Sequence, residues 1–209
     1  DVCFDGKVSE FCEQWKLQKR FSWSILQRGV GSDSSRDYGS SQLSPSQEDL
    51  ALLLPGTFEI EGIAVCWSEQ NVYWFSARSD EFLGALRAVM ASSSIKIQFN
   101  MKPQISLLLG IGITISQPIW DPKVALWIVE MGDTKDYSLE QVVSKYAGTS
   151  ASIPAGVFCC FSAFDACCTR AHQSLIAAIS MEPLIEGKDR EVLELLEMPR
   201  NPIISRMEH

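Results

Sequence analysis

At 209 residues, with 46% hydrophobic, 21% charged and 10% aromatic residues, the chain has the composition of a soluble globular domain with one sizeable core. Its formal net charge of −8 opposes a phosphate backbone, which argues against a free-standing nucleic-acid binder working through a broad basic face. The longest apolar run, Ile105 to Ile115, is broken by Ser106, Gly110, Gly112 and Thr114 and falls far short of the roughly 20 residues a bilayer requires, so no membrane span is expected.

Val8 to Leu17 places Val8, Phe11, Cys12 and Trp15 at helical spacing and reads as a short amphipathic helix. Arg20 to Leu26 (RFSWSIL) alternates aromatic and branched residues with serines, a strand pattern. Residues 28–50 are rich in Gly, Ser and Asp and carry too little apolar surface to offset their ordering entropy, which predicts a long mobile loop. Phe58 to Trp67 and Asn71 to Ser76 are β-rich runs separated by three polar residues, as in an antiparallel hairpin. Asp80 to Ala91 has an acidic first turn and one apolar face, and predicts a helix.

Ile95 to Phe99 reads as a short buried strand, followed by a helix over Pro103 to Leu109 that Gly110 and Gly112 stop. Asp121 followed by Pro122 marks the start of a helix running to Met131. Ser138 with Gln141 three residues on is a capping box for a helix ending at Tyr146. Ala155 to Ser180 and Lys188 to Glu208 are longer helical candidates, the second broken or kinked around Pro199 and Pro202. Strands first and helices later predict an α/β fold, a mixed sheet covered by helices.

Seven cysteines, an odd number, without an apolar leader favour a reducing compartment over a disulfide framework. Cys159, Cys160, Cys167, Cys168 and His172 lack the spacing of a zinc site and read as core residues. The six tryptophans mostly occupy apolar positions of strands and helices, and so read as packing rather than as base-stacking platforms. The one dense basic run, Lys16, Lys19 and Arg20, is the weak candidate for nucleic-acid contact.

Four segments in order resemble the proofreading domain of family A DNA polymerases: RFSWSIL, IKIQFNMKPQISLLLGIGI, CFSAFDACCTRAHQSLI and LLEMPRNPIISRME. The last, with its Glu-Met-Pro, is the most specific. Within that family EFCEQWKLQKRFSWSI, GIAVCWSEQNVYWFSA and DPKVALWIVE resemble the theta branch more closely than the nu branch or the bacterial members. The resemblance implies a ribonuclease-H-like 3′-5′ exonuclease fold over residues 1–194, with 195–209 a helix leading into a polymerase domain of the same parent chain. It also implies Mg²⁺ for that parent, DNA engaged through it, a nuclear location, and a role in double-strand break repair by microhomology-mediated end joining.

Active members of the family hold two divalent cations about 4 Å apart between carboxylates. Laid onto this chain, their Asp-x-Glu pair falls on Ser24 and Leu26, their second-motif Asp on Gln104, four residues after Asn100, and their Tyr-x-x-x-Asp on Phe161 and Asp165. Only Asp165 is a carboxylate, so the resemblance implies no metal site, no catalytic residue and no cofactor for this domain. The alternatives are an active or cryptic exonuclease using a rearranged site, and a protein-docking module working through the acidic surface.

Overall fold

A computed structural model describes residues 8–29, 58–76, 80–131, 137–148 and 163–208. The elements run α1 (Val8–Lys16), β1 (Arg20–Gly29), β2 (Phe58–Cys66), β3 (Val72–Ser76), α2 (Asp80–Met90), β4 (Ile95–Ile97), α3 (Met101–Gly110), β5 (Ile119–Trp120), α4 (Pro122–Val129), α5 (Leu139–Tyr146) and α6 (Ala163–Met181). A C-terminal arm follows, built of α7 (Gly187–Val192), a π-helical turn (Leu193–Glu197) and α8 (Met198–Glu208).

The strands form one mixed sheet in the order β3-β2-β1-β4-β5. β1 pairs antiparallel with β2, and β2 with β3, while β4 runs parallel to β1 and β5 parallel to β4. This is the α/β architecture expected from the sequence. β5, two residues long, is too short to leave a periodic signal, and the sequence pattern does not mark it.

β1 is the central strand, and both of its faces are buried. Phe21, Trp23 and Ile25 alternate with Ser22 and Ser24, and all five are nearly inaccessible. The aromatic side meets α1 and α2: the Trp15 ring lies 5.2 Å from Phe21 edge-on and 6.2 Å from Phe82, and Phe11 lies 4.0 Å from Phe75. The serine side is thin enough for α6 to approach closely, and Ser22 Oγ donates to the Ala171 carbonyl at 2.6 Å. Removing such large aromatic surfaces from water is the main force holding these layers together.

Several boundaries differ from the sequence reading: β4 ends at Ile97 rather than Phe99, α3 begins at Met101 rather than Pro103, and two larger differences concern β1 and the arm. β1 continues past the expected loop start, with Gln27, Arg28 and Gly29 paired to Ile60, Glu59 and Phe58 after a register shift at Leu26/Gln27. Residues 28 and 29 are therefore strand; residues 30–50 of the expected loop lie outside the described residues, as do 155–162 of the expected late helix. The helix of the arm is interrupted earlier than its prolines suggested. Pro199 would crowd the carbonyl of Leu195 four residues back in a regular helix, and the wider π-helical turn at Leu193–Glu197 eases that approach; Pro202 lies inside α8.

Candidate functional site

The C-terminal half of β1 outruns its parallel neighbour. β4 pairs with β1 only as far as Ser22↔Ile97, so the β1 edge beyond that point needs another partner. After β4 the chain turns at Asn100, whose φ of 55° and ψ of 62° are left-handed, and enters α3 directly. This turn swings α3 across the vacant edge, where Gln104 Oε1 accepts the Ile25 N–H at 2.8 Å.

The mapped carboxylate positions gather here. Ser24 is 2% exposed, and its carbonyl accepts from Cys167 Sγ at 3.2 Å. Leu26 is half-buried against the core, opposite Gly62, and the Trp74 ring lies so close over Gly62 that a Cβ there would come within 2.2 Å of it. Gln104 is half-buried and committed to the β1 backbone. Asp165 stands in the first turn of α6, half-buried, two residues before Cys167. Phe161, Cys159 and Cys160 lie outside the described residues.

Strand β1 thus brings Ser24, Leu26 and Gln104 together, and α6 brings the turn that carries Asp165 alongside. Among the described residues, no group of three or more His, Cys, Asp and Glu side chains is placed to share a metal ion. The donor set at the mapped positions is a hydroxyl, an alkyl group, an amide and one carboxylate. Two hard dications held about 4 Å apart need several anionic oxygens to offset their repulsion, and this set does not fit them.

The neighbouring thiols are chemically quiet. Burial pushes Cys167 up to about 11 and Cys66 up to about 12, so both are neutral thiols at physiological pH rather than thiolate nucleophiles. Cys168 and His172 are likewise buried, in keeping with core packing.

Lys16, Lys19 and Arg20 do not lie at this edge. Arg20 opens β1, six residues before Leu26, which at about 3.3 Å per residue puts it roughly 20 Å away at the other end of the strand. Lys16 pairs with Glu13 at 2.7 Å and Arg20 with Glu182 at 2.9 Å, so two of the three cations are engaged by carboxylates. Of the tryptophans, Trp15, Trp23 and Trp120 are buried, Trp67 and Trp74 half-buried, and Trp127 on α4 is 49% exposed.

Asp121 carries a role that its sequence signal showed only in part. It caps α4 as Asp-Pro predicts, Oδ1 accepting from Lys123 N at 2.9 Å, and it also accepts from Asn100 N at 3.0 Å and Met101 N at 2.7 Å at the start of α3. It is fully buried, and desolvation lifts its carboxyl to about 6 against the downward pull of those three N–H groups. The second cap depends on β4 and β5 lying side by side, which no local pattern announces.

No protein-family model matches the chain. In sequence it is similar to DNA polymerase theta of Mus musculus, 23% identical over 185 residues, covering 70% of this chain and 7% of that protein. In structure it is similar to the POL domain of Pol1 from M. smegmatis, in complex with DNA primer-template and dNTP, with a TM-score of 0.68 and 15% identity over 100% of this chain and 31% of that one. It is also similar to Brucella melitensis NrnC with bound Mg²⁺, with a TM-score of 0.65 and 11% identity over 99% of this chain and 90% of that one. The fold is ribonuclease-H-like, as in the RNase D and NrnC structures it resembles, and the sequence is similar to that of a DNA polymerase. It spans only a small part of the polymerase-theta and Pol1 chains it matches.

Proposed function

We propose that this exonuclease-like domain, similar in sequence to DNA polymerase theta, is a non-catalytic structural module of a theta-like repair polymerase. The observation that carries the reading is the fate of the carboxylate positions: Ser24 is buried against Cys167, Leu26 packs into the core, and Gln104 spends its amide oxygen on the Ile25 N–H. A lone Asp165 is too weak a ligand set for two Mg²⁺ ions, so proofreading hydrolysis is absent. In this reading Mg²⁺ belongs to the parent's polymerase centre, and DNA is engaged through the parent in the nucleus, during double-strand break repair by microhomology-mediated end joining.

Residues 195–209 then lead into the polymerase domain, which is the domain's partner. Leu195, Leu196, Ile203 and Met207 are between 56% and 80% exposed on the arm, an apolar surface suited to a neighbouring module. The test is to incubate the purified chain with end-labelled single-stranded DNA and Mg²⁺ or Mn²⁺. No shortening is expected. Metal-dependent shortening that Asp165→Ala abolishes would establish the rival reading, an active 3′-5′ exonuclease.

A further inference from the structure

The C-terminal arm meets the body at Asp121. Met198, the methionine of Glu-Met-Pro, is 1% exposed, and its Sδ accepts the Asp121 N–H at 3.2 Å. Seven residues on, Ser205 Oγ donates to the Lys102 carbonyl of α3 at 3.5 Å. The carboxylate of the same Asp121 holds the N–H groups of Asn100 and Met101, where α3 begins, and that of Lys123 in α4. One residue therefore caps two helices with its side chain and grips the arm with its backbone.

The start of α3 has to be held. Asn100 sits in the left-handed region, which asparagine tolerates better than most residues with a Cβ but still at a cost, and its side chain makes no capping bond of its own. The bonds from Asp121 supply the restraint, and being charge-assisted they are stronger than neutral ones. Helix α3 reaches β1 in turn through Gln104 and Ile25. An unbroken series of contacts thus runs from Met198 through Asp121, Asn100 and Met101 to Gln104 and the C-terminal half of β1.

We propose that Asp121 is a coupling junction: displacing the arm from its N–H loosens the start of α3 and with it the Gln104 tie on β1. Asp121 is a positioning residue in this scheme, and the device makes the β1 edge that carries Ser24 and Leu26 responsive to whatever moves the arm. It holds whether or not the domain cleaves DNA, because it rests only on the junction geometry.

Hydrogen exchange of the 209-residue chain, resolved by peptide mass spectrometry, tests it. Met198→Leu keeps the side-chain volume and removes the sulfur acceptor, so the fold is retained. Tenfold or faster exchange is expected in 198–208, in 101–105 and at Ile25, while β2, β3 and α5 exchange as in the wild type. Asp121→Ala extends the same pattern to 122–125, and if that variant does not fold, Met198→Leu and Met198→Ala carry the test. Faster exchange confined to the arm, or spread evenly over the sheet, would overturn the coupling.

Discussion

Gln104→Leu is the most direct probe of how the β1 edge beyond β4 is closed. The substitution keeps the side-chain bulk and removes the oxygen that accepts the Ile25 N–H at 2.8 Å. That N–H sits in the half-buried space between β1 and α3, beyond the last β4 pair, where no strand can replace the lost acceptor. Leaving a buried donor unmatched costs about 1–3 kcal/mol. For a domain of this size each kcal/mol moves the melting temperature by roughly 2–4 °C, so thermal denaturation followed by circular dichroism should show a drop of about 2–12 °C. Gln104→Glu keeps an acceptor oxygen at the same reach and should stay much nearer the wild-type melting temperature. If Gln104→Leu melts with the wild type, the amide is an onlooker and the edge is held by packing alone.

Three further outcomes are expected. Lys96 is fully buried and donates its ammonium to the Ser92 and Ser116 carbonyls, and desolvation lowers it from 10.5 to about 8. The unfolded chain holds that proton more tightly than the folded one, so the destabilisation is complete below pH 8 and fades between 8 and 10.5. Urea titrations should therefore show the wild type gaining up to about 3 kcal/mol relative to Lys96→Met across that window, and parallel pH profiles would refute this. Gly62→Ala forces a Cβ to within 2.2 Å and 2.7 Å of the Trp74 ring and 2.5 Å of the Phe75 carbonyl, which overpacking precedents put at about 1–3 kcal/mol of destabilisation in a chemical denaturation curve. Cys12, Cys66, Cys167 and Cys168 are buried, so site-resolved alkylation should label them only in denaturant; labelling of Cys167 in the native protein would contradict its contact with Ser24.

Elements with strong local chemistry were legible from the residues alone. The Ser138–Gln141 capping box forms with both of its bonds, and Asp121-Pro122 opens α4. The alternation of RFSWSIL marks a strand, and the structure explains why its polar positions are serines: a larger side chain at Ser22 would push α6 off the sheet. The hairpin was read to within a residue at each end. The end of β1 was read too early because Gln27 to Gly29 are held by pairing with β2 rather than by any propensity of their own. The break in the arm was misplaced because a proline's clash is relieved in the turn before it.

At the candidate site, the sequence by itself determined which side chains are present: at the mapped positions it supplies a hydroxyl, an alkyl group, an amide and a single carboxylate. That inventory is a property of composition and order, and folding cannot add charge to it. Only the tertiary structure decided that Gln104 closes the open edge of β1 and that Asp121 joins the start of α3 to the arm. Those facts depend on contacts between residues 20 to 79 positions apart, set by how strands pair and helices lie across them, and no local pattern encodes them.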